Sequence, residues 1–211
     1  MTYSLNEIEA LVKKAARGCG YDWGIAEEAG KAVRWLASHE LPGGEVMVAH
    51  LQGDGTDGPP GGLDGVWSNA AGLLCPLTSG AALNDCAERL KVGAAQVMDR
   101  VAHPLLVVPF AAWAAVHIKS AVTVNWDGVS ATTDGFNLVV QGSRDAQVAD
   151  VADRLSCRIR PDATGMTAPG LRGELAADAH RVLNEFAQRT YAPATEESRL
   201  LGAGAGTSDN D

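Results

Sequence analysis

The apolar residues of this 211-residue chain change period twice, and that alone decides most of what it can fold into. From Leu5 to Leu36 they recur at three- and four-residue steps, the repeat of a helix with one buried face. Between Val122 and Ile159 they alternate, the repeat of a strand whose successive side chains leave opposite faces of a sheet. From Leu171 to Phe186 the helical step returns. Helix and strand periods gathered into separate blocks predict an α+β fold with a mainly antiparallel sheet.

Local signals place the elements. Ser4-Leu-Asn-Glu7 is a capping box that starts a helix, and Gly18 and Gly20 end it. A second helix runs from about Trp23 to Ser38, closed by Pro42-Gly43-Gly44, and the two form a hairpin. A short apolar stretch at Val46–Leu51 precedes residues 52–65, whose glycines and prolines read as a mobile loop suited to closing over a cleft. A shorter helix is expected from Ser79 or Gly80 to Leu90. The continuous apolar run Leu105–Phe110 suits a strand buried on both faces. An antiparallel meander follows, with strands at Val122–Trp126, Val129–Thr133 and Phe136–Val140, and Asp127-Gly128 as a type I′ turn. Val151–Arg160 is read as a further strand, and a long amphipathic helix from Pro169 as packing on the sheet. Residues 1–211 are read as a single domain ending in a glycine-rich tail at 200–211.

A net charge of −9, from 17 basic and 26 acidic residues, repels phosphate backbones and anionic lipid heads, so neither nucleic acid nor membrane is an expected partner. The N-terminus lacks the basic start and apolar run of a signal peptide, which predicts a cytoplasmic protein. Cys19, Cys75, Cys86 and Cys157 form no C-x-x-C pair, so reduced thiols are expected and no metal site is assigned. No cofactor can be named.

Candidate chemistry gathers near the C-terminus. Gly202-Ala-Gly-Ala-Gly206 has the spacing of a phosphate loop without its strand-helix context, so Gly204 and Gly206 are read either as ligand-binding glycines whose amides approach an anion or as part of a flexible tail. On the functional reading the tail folds over a cleft and brings Thr207, Ser208, Asp209 and Asp211 to a polar ligand or a hard metal ion. Glu196 is a candidate carboxylate base, with Arg199 and Arg189 as anion clamps; a solvated helical turn is the plainer reading of the charges at 196–199. His180, on the flank of the last helix, is the candidate for proton transfer, while His103 and His117 read as core-edge residues. Cys75-Pro-Leu-Thr-Ser-Gly80 puts a thiol before a helix N-terminus, which lowers a thiol pKa. A thiol-phosphatase loop needs arginine where Ala81 stands, and a buried structural cysteine is preferred. Asp54, Asp57 and Asp64 lack the order of a calcium loop.

Ser4-Leu-Asn-Glu-Ile-Glu-Ala-Leu, Lys14-Ala-Ala-Arg-Gly18, the Trp23–Leu36 helix, Pro193-Ala-Thr-Glu196 and the Gly202–Asp211 ending together resemble a bacterial family catalogued as a domain of unknown function, over essentially the whole chain. That resemblance implies one domain and no particular activity. A narrower one, over about fifty residues, is to the malate/L-lactate dehydrogenase family: its helix-glycine-helix leads to a Ser-His-Gly, and Ser38-His39 takes that place with Glu40 instead of glycine. The expected function is binding of a small polar metabolite such as an amino or hydroxy acid, the tail and the 52–65 loop closing the site. Two alternatives stand beside it: an enzyme using acid/base chemistry on such a metabolite, and a non-catalytic subunit of a larger enzyme. A protein partner or a homo-oligomer fits the last.

Overall fold

The computed structural model describes residues 1–53, 58–62, 64–70, 72–91 and 95–190. Its elements are β1 (Thr2–Ser4), α1 (Leu5–Gly18), α2 (Trp23–Ser38), α3 (Gly43–Gln52), α4 (Pro76–Asp85), β2 (Gln96–Ala102), α5 (Val108–Ile118), β3 (Val122–Trp126), β4 (Val129–Thr133), β5 (Leu138–Gln141), α6 (Arg144–Gln147), β6 (Val151–Ile159), β7 (Arg172–Glu174) and α7 (Ala177–Gln188). Short 3-10 turns occupy Ala87–Lys91 and Pro104–Val107. The α+β class holds, with a helical N-terminal region and a central antiparallel sheet.

The capping box forms: Ser4 Oγ accepts the Glu7 amide at 3.2 Å, and the Glu7 carboxylate accepts the Ser4 amide at 2.8 Å. Ile8, Val12, Ala15 and Ala16 of α1 are buried, as are Ala26, Ala29, Ala32 and Val33 of the α2 helix packed beside it. Gly30 makes that approach close, because a Cβ there would come within 2.7 Å of the Glu9 carbonyl oxygen. The Lys13–Glu27 and Arg34–Glu9 ion pairs, at 2.8 and 2.7 Å, link the two helices along their edges.

The five-stranded sheet has the order β2-β6-β3-β4-β5, and every neighbouring pair is antiparallel. Asp127 and Gly128 both have positive φ, 34° and 82°, as the tight β3–β4 turn requires. Val122, Val124 and Trp126 of β3 share one face with Leu155 and Cys157 of β6, and all are buried. Helix α5 packs against β3 and β4, and it also contacts α2 and α4. A second, two-stranded sheet pairs β1 with β7, antiparallel.

The Val46–Leu51 stretch, left unassigned by its sequence, is helix α3, and the glycines before it serve packing: a Cβ on Gly43 would strike Leu36, and one on Gly44 would strike Leu175. Other expectations are corrected. Leu105–Phe110 is not a strand but a 3-10 turn running into α5, with a proline near the start of each. A helix buried nearly all round shows no amphipathic period, so its sequence looks like a buried strand. The α4 helix begins at Pro76, ahead of the expected Ser79, because proline is well suited to a first helical position. The segment from Pro169 is not helical: Leu171 is 93% exposed, Arg172–Glu174 is strand β7, and only Ala177–Gln188 is helix. That helix packs on α1 and α3 rather than on the sheet.

Candidate functional site

Cys75 is the N-cap of α4, extended at φ −67° and ψ 124°. Its amide donates to the Gly58 carbonyl at 2.9 Å, and its carbonyl accepts the Ser79 amide at 3.0 Å. The backbone is therefore tied on both sides, with the thiol at the mouth of a helix N-terminus whose first amides have no intrahelical partner. His50, in the last turn of α3, and Tyr21, in the turn between α1 and α2, meet it there. Tyr21 Oη and His50 Nε2 share a hydrogen bond of 2.7 Å. Tyr21 Oη is 3.5 Å from Cys75 Sγ, and His50 Nε2 is 4.0 Å from the same sulfur.

The surroundings hold this triangle. The Tyr21 carbonyl accepts a hydrogen bond from Arg17 Nη1 at 2.9 Å. His103 presents its ring to that of His50 in a T-shaped contact, centroids 5.6 Å apart. His103 adopts the left-handed conformation, φ 43° and ψ 61°, which costs a non-glycine residue roughly 1–2 kcal/mol. Cys75 is 2% exposed and His50 6%. One helical turn on from Cys75, the fully buried Ser79 hydroxyl has no hydrogen-bond partner among the described residues.

Burial alone pushes the Cys75 thiol up, but the hydrogen bond and charge of His50, with the Thr78 amide and the Tyr21 hydroxyl, outweigh it and hold the thiol below its ordinary range. The same burial acts nearly unopposed elsewhere. It raises Cys19, where Arg189 offsets only part of the effect, and pushes Cys157 up to about 12. All four cysteines are free thiols. No group of three His, Cys, Asp or Glu among the described residues is disposed to hold a metal ion.

The residues nominated by sequence lie elsewhere. His180 stacks on Tyr3, ring centroids 4.9 Å apart and nearly parallel, beside a cleft of about 310 Å³ also lined by Glu7, Lys14 and Asn184. Arg189 caps α7 with its guanidinium over the Phe186 ring at 4.4 Å, and it does not line that cleft among the described residues. Glu196, Arg199, Gly204, Gly206 and Asp209, with the rest of the tail, lie outside the described residues, as do Asp54 and Asp57. Asp64 pairs with Arg89 at 3.4 Å, and His117 lies 3.7 Å from Glu88. His39 is packed on Trp35 at 4.3 Å, and burial lowers its pKa. Described parts of the 52–65 loop are tied by backbone bonds, Gly58 to Leu73 at 3.1 Å and Gly61 to Ser68 at 2.8 Å. A larger cleft of about 630 Å³, between β1, β7 and the start of α3, is lined by Arg144 and Arg172 and by Glu40, Glu45 and Glu174.

Sequence singled out Cys75 but preferred a structural role for it, and it missed Tyr21 and His50 altogether. The one available signal was Cys-Pro at a helix start; the partners, 54 and 25 residues away, carry none.

No helix among the described residues is long and apolar enough to cross a membrane. No curated protein and no solved structure matches the chain, so the likeness to malate/L-lactate dehydrogenases finds no support. Residues 3–91, the segment that contains Tyr21, His50 and Cys75, match the family described as a protein of unknown function (DUF3726).

Proposed function

We propose that this protein is an enzyme acting on a small polar metabolite by nucleophilic catalysis, with Cys75 as nucleophile and His50 as its base. The observation that carries the reading is the meeting of the thiol, imidazole and phenol at the α4 N-terminus, with Sγ within 3.5 Å of Tyr21 and 4.0 Å of His50. A thiolate is the reactive form of cysteine, and an adjacent base is what generates it near neutral pH. The substrate class that fits is a carboxylic ester, thioester or amide. Sγ attacks the carbonyl carbon and the carbonyl π electrons move to oxygen, where the Leu77 amide in the first turn of α4 opposes the developing negative charge. Collapse expels the leaving group, which takes the proton held on His50, and leaves a thioester. Water, deprotonated by His50, then releases the acid and restores the thiol. With the thiol 2% exposed, substrate reaches it only through local opening.

The test is incubation of the full chain with a panel of small aryl esters and thioesters, followed by intact-mass and peptide mapping. The expected result is transient acylation of Cys75 and product release, both abolished in Cys75→Ser. Alkylation of Cys75 only on unfolding, with no acylation in the native protein, would overturn the reading.

A second reading is non-covalent binding of a zwitterionic metabolite in the Arg144/Arg172 cleft, favoured by the guanidinium and carboxylate groups that line it together. Thermal stabilisation by amino acids, lost in Arg172→Ala but retained in Cys75→Ser, would favour it.

A further inference from the structure

Resting on the thiol reading above, the geometry points to Tyr21 as a catalytic residue whose hydroxyl carries the Cys75 proton to His50. The direct path from Sγ to His50 Nε2 is 4.0 Å, too long for efficient transfer between heavy atoms. The path through the phenol has two shorter legs, 3.5 Å from sulfur to Oη and 2.7 Å from Oη to Nε2. The step balances without a co-reactant. The S–H bond breaks as an Oη–H bond forms, the original Oη–H breaks as an Nε2–H bond forms, and Tyr21 is neutral before and after. Thiol and neutral imidazole become thiolate and imidazolium. In the reverse direction the same hydroxyl returns a proton to sulfur when the thioester is released.

The arrangement requires His50 to rest with its proton on Nδ1 and its Nε2 lone pair turned to the phenol. It also requires a ring that does not swing away. The Tyr21 ring lies at 33° to that of His50, and its backbone is tied at both polar groups, N to the Ala16 carbonyl at 3.2 Å and O to Arg17 at 2.9 Å. The titratable or charged groups next to the relay include, among the described residues, Arg17, on the Tyr21 carbonyl, His103, on the His50 ring, and Cys19, whose thiol donates to the neighbouring Leu51 carbonyl at 3.3 Å.

Two measurements on the full-length protein test the relay. Thiolate absorbance is titrated against pH, each background being differenced against the same background carrying Cys75→Ser, so that Cys19, Cys86 and Cys157 cancel. Tyr21→Phe is expected to raise the Cys75 midpoint by about one pH unit or more, a roughly tenfold loss of thiolate below both midpoints, and His50→Asn to raise it as well. Nitrogen-15 NMR of the wild-type protein is expected to find neutral His50 protonated on Nδ1, an outcome independent of whether any variant folds. An unchanged midpoint in Tyr21→Phe beside a raised one in His50→Asn would mean that His50 acts on the thiol directly, which sinks the relay and leaves the thiol reading standing. Neutral His50 protonated on Nε2 would also sink it. A Cys75 that titrates as an ordinary thiol in all three proteins would remove the thiol reading itself.

Discussion

Gly80 has no room for a methyl group, because a Cβ there would collide with the edge of the Phe110 ring of α5. Gly80→Ala is therefore expected to lower stability by about 1–3 kcal/mol in urea unfolding, and to move α4 enough to weaken thiolate formation at Cys75. Cysteine titrations give a second prediction, with opposite signs at two positions. Cys157, raised from 9.0 to about 12, is neutral in the fold while the unfolded chain ionises, so its contribution is present below about 9 and lost as pH rises towards 12. Cys75 is depressed, so its contribution is present above the unfolded thiol value and lost as pH falls through the folded one. Stability profiles of Cys157→Ala and Cys75→Ser should accordingly part from wild type in different directions on the alkaline side. At this scale the sequence was half legible. Cys-Pro announced a thiol at a helix start, but nothing local distinguishes a cysteine bonded to a histidine from one buried in a strand, and Cys157 is the latter.

Among the elements, α1 and α2 were readable because their signals are local: a capping box at Ser4, glycines after each helix and an apolar period between; the Asp22 cap of α2, whose side chain accepts the Ile25 amide at 2.8 Å, is added by the structure. Helix α5 was not, since its apolar residues point in every direction and its neighbours come from distant segments. Strand β7 was lost for the opposite reason. Leu171, Leu175 and Ala179 mimic a helical step, while only pairing with β1 makes Arg172–Glu174 extended. The α1–α2 junction carries its own prediction. Lys13 and Lys31 hold the Glu27 carboxylate down at about 2, so its contribution is complete above about 4.5 and lost as pH falls towards 2. Glu27→Gln should lower the melting temperature slightly at neutral pH and leave it unchanged below pH 2, and added salt should shrink the difference because the pair is exposed.

Across the whole molecule, residues that sequence reasoning never joined are brought together where α3 and α4 both pack on α2 and on the Pro104–Val107 turn, which is why the site was invisible in one dimension. The same packing closes the sheet at β2. Trp67 and Leu74 lie alongside it in parallel, with Trp67 N to Val97 O and Asp99 N to Trp67 O both 2.9 Å, and Leu74 N to Arg100 O 2.8 Å. Trp67 is fully buried, so Trp67→Ala should cost about 3–5 kcal/mol in denaturant unfolding. The segment that guards this outermost strand runs directly into Cys75. Any motion that admits a substrate to the sulfur by peeling the segment back also bares a row of backbone donors and acceptors, the template on which chains stack into fibrils. On the proposed function, opening at Cys75 and self-association are linked through this one segment, and conditions that speed labelling of Cys75 should also bring the onset of aggregation forward.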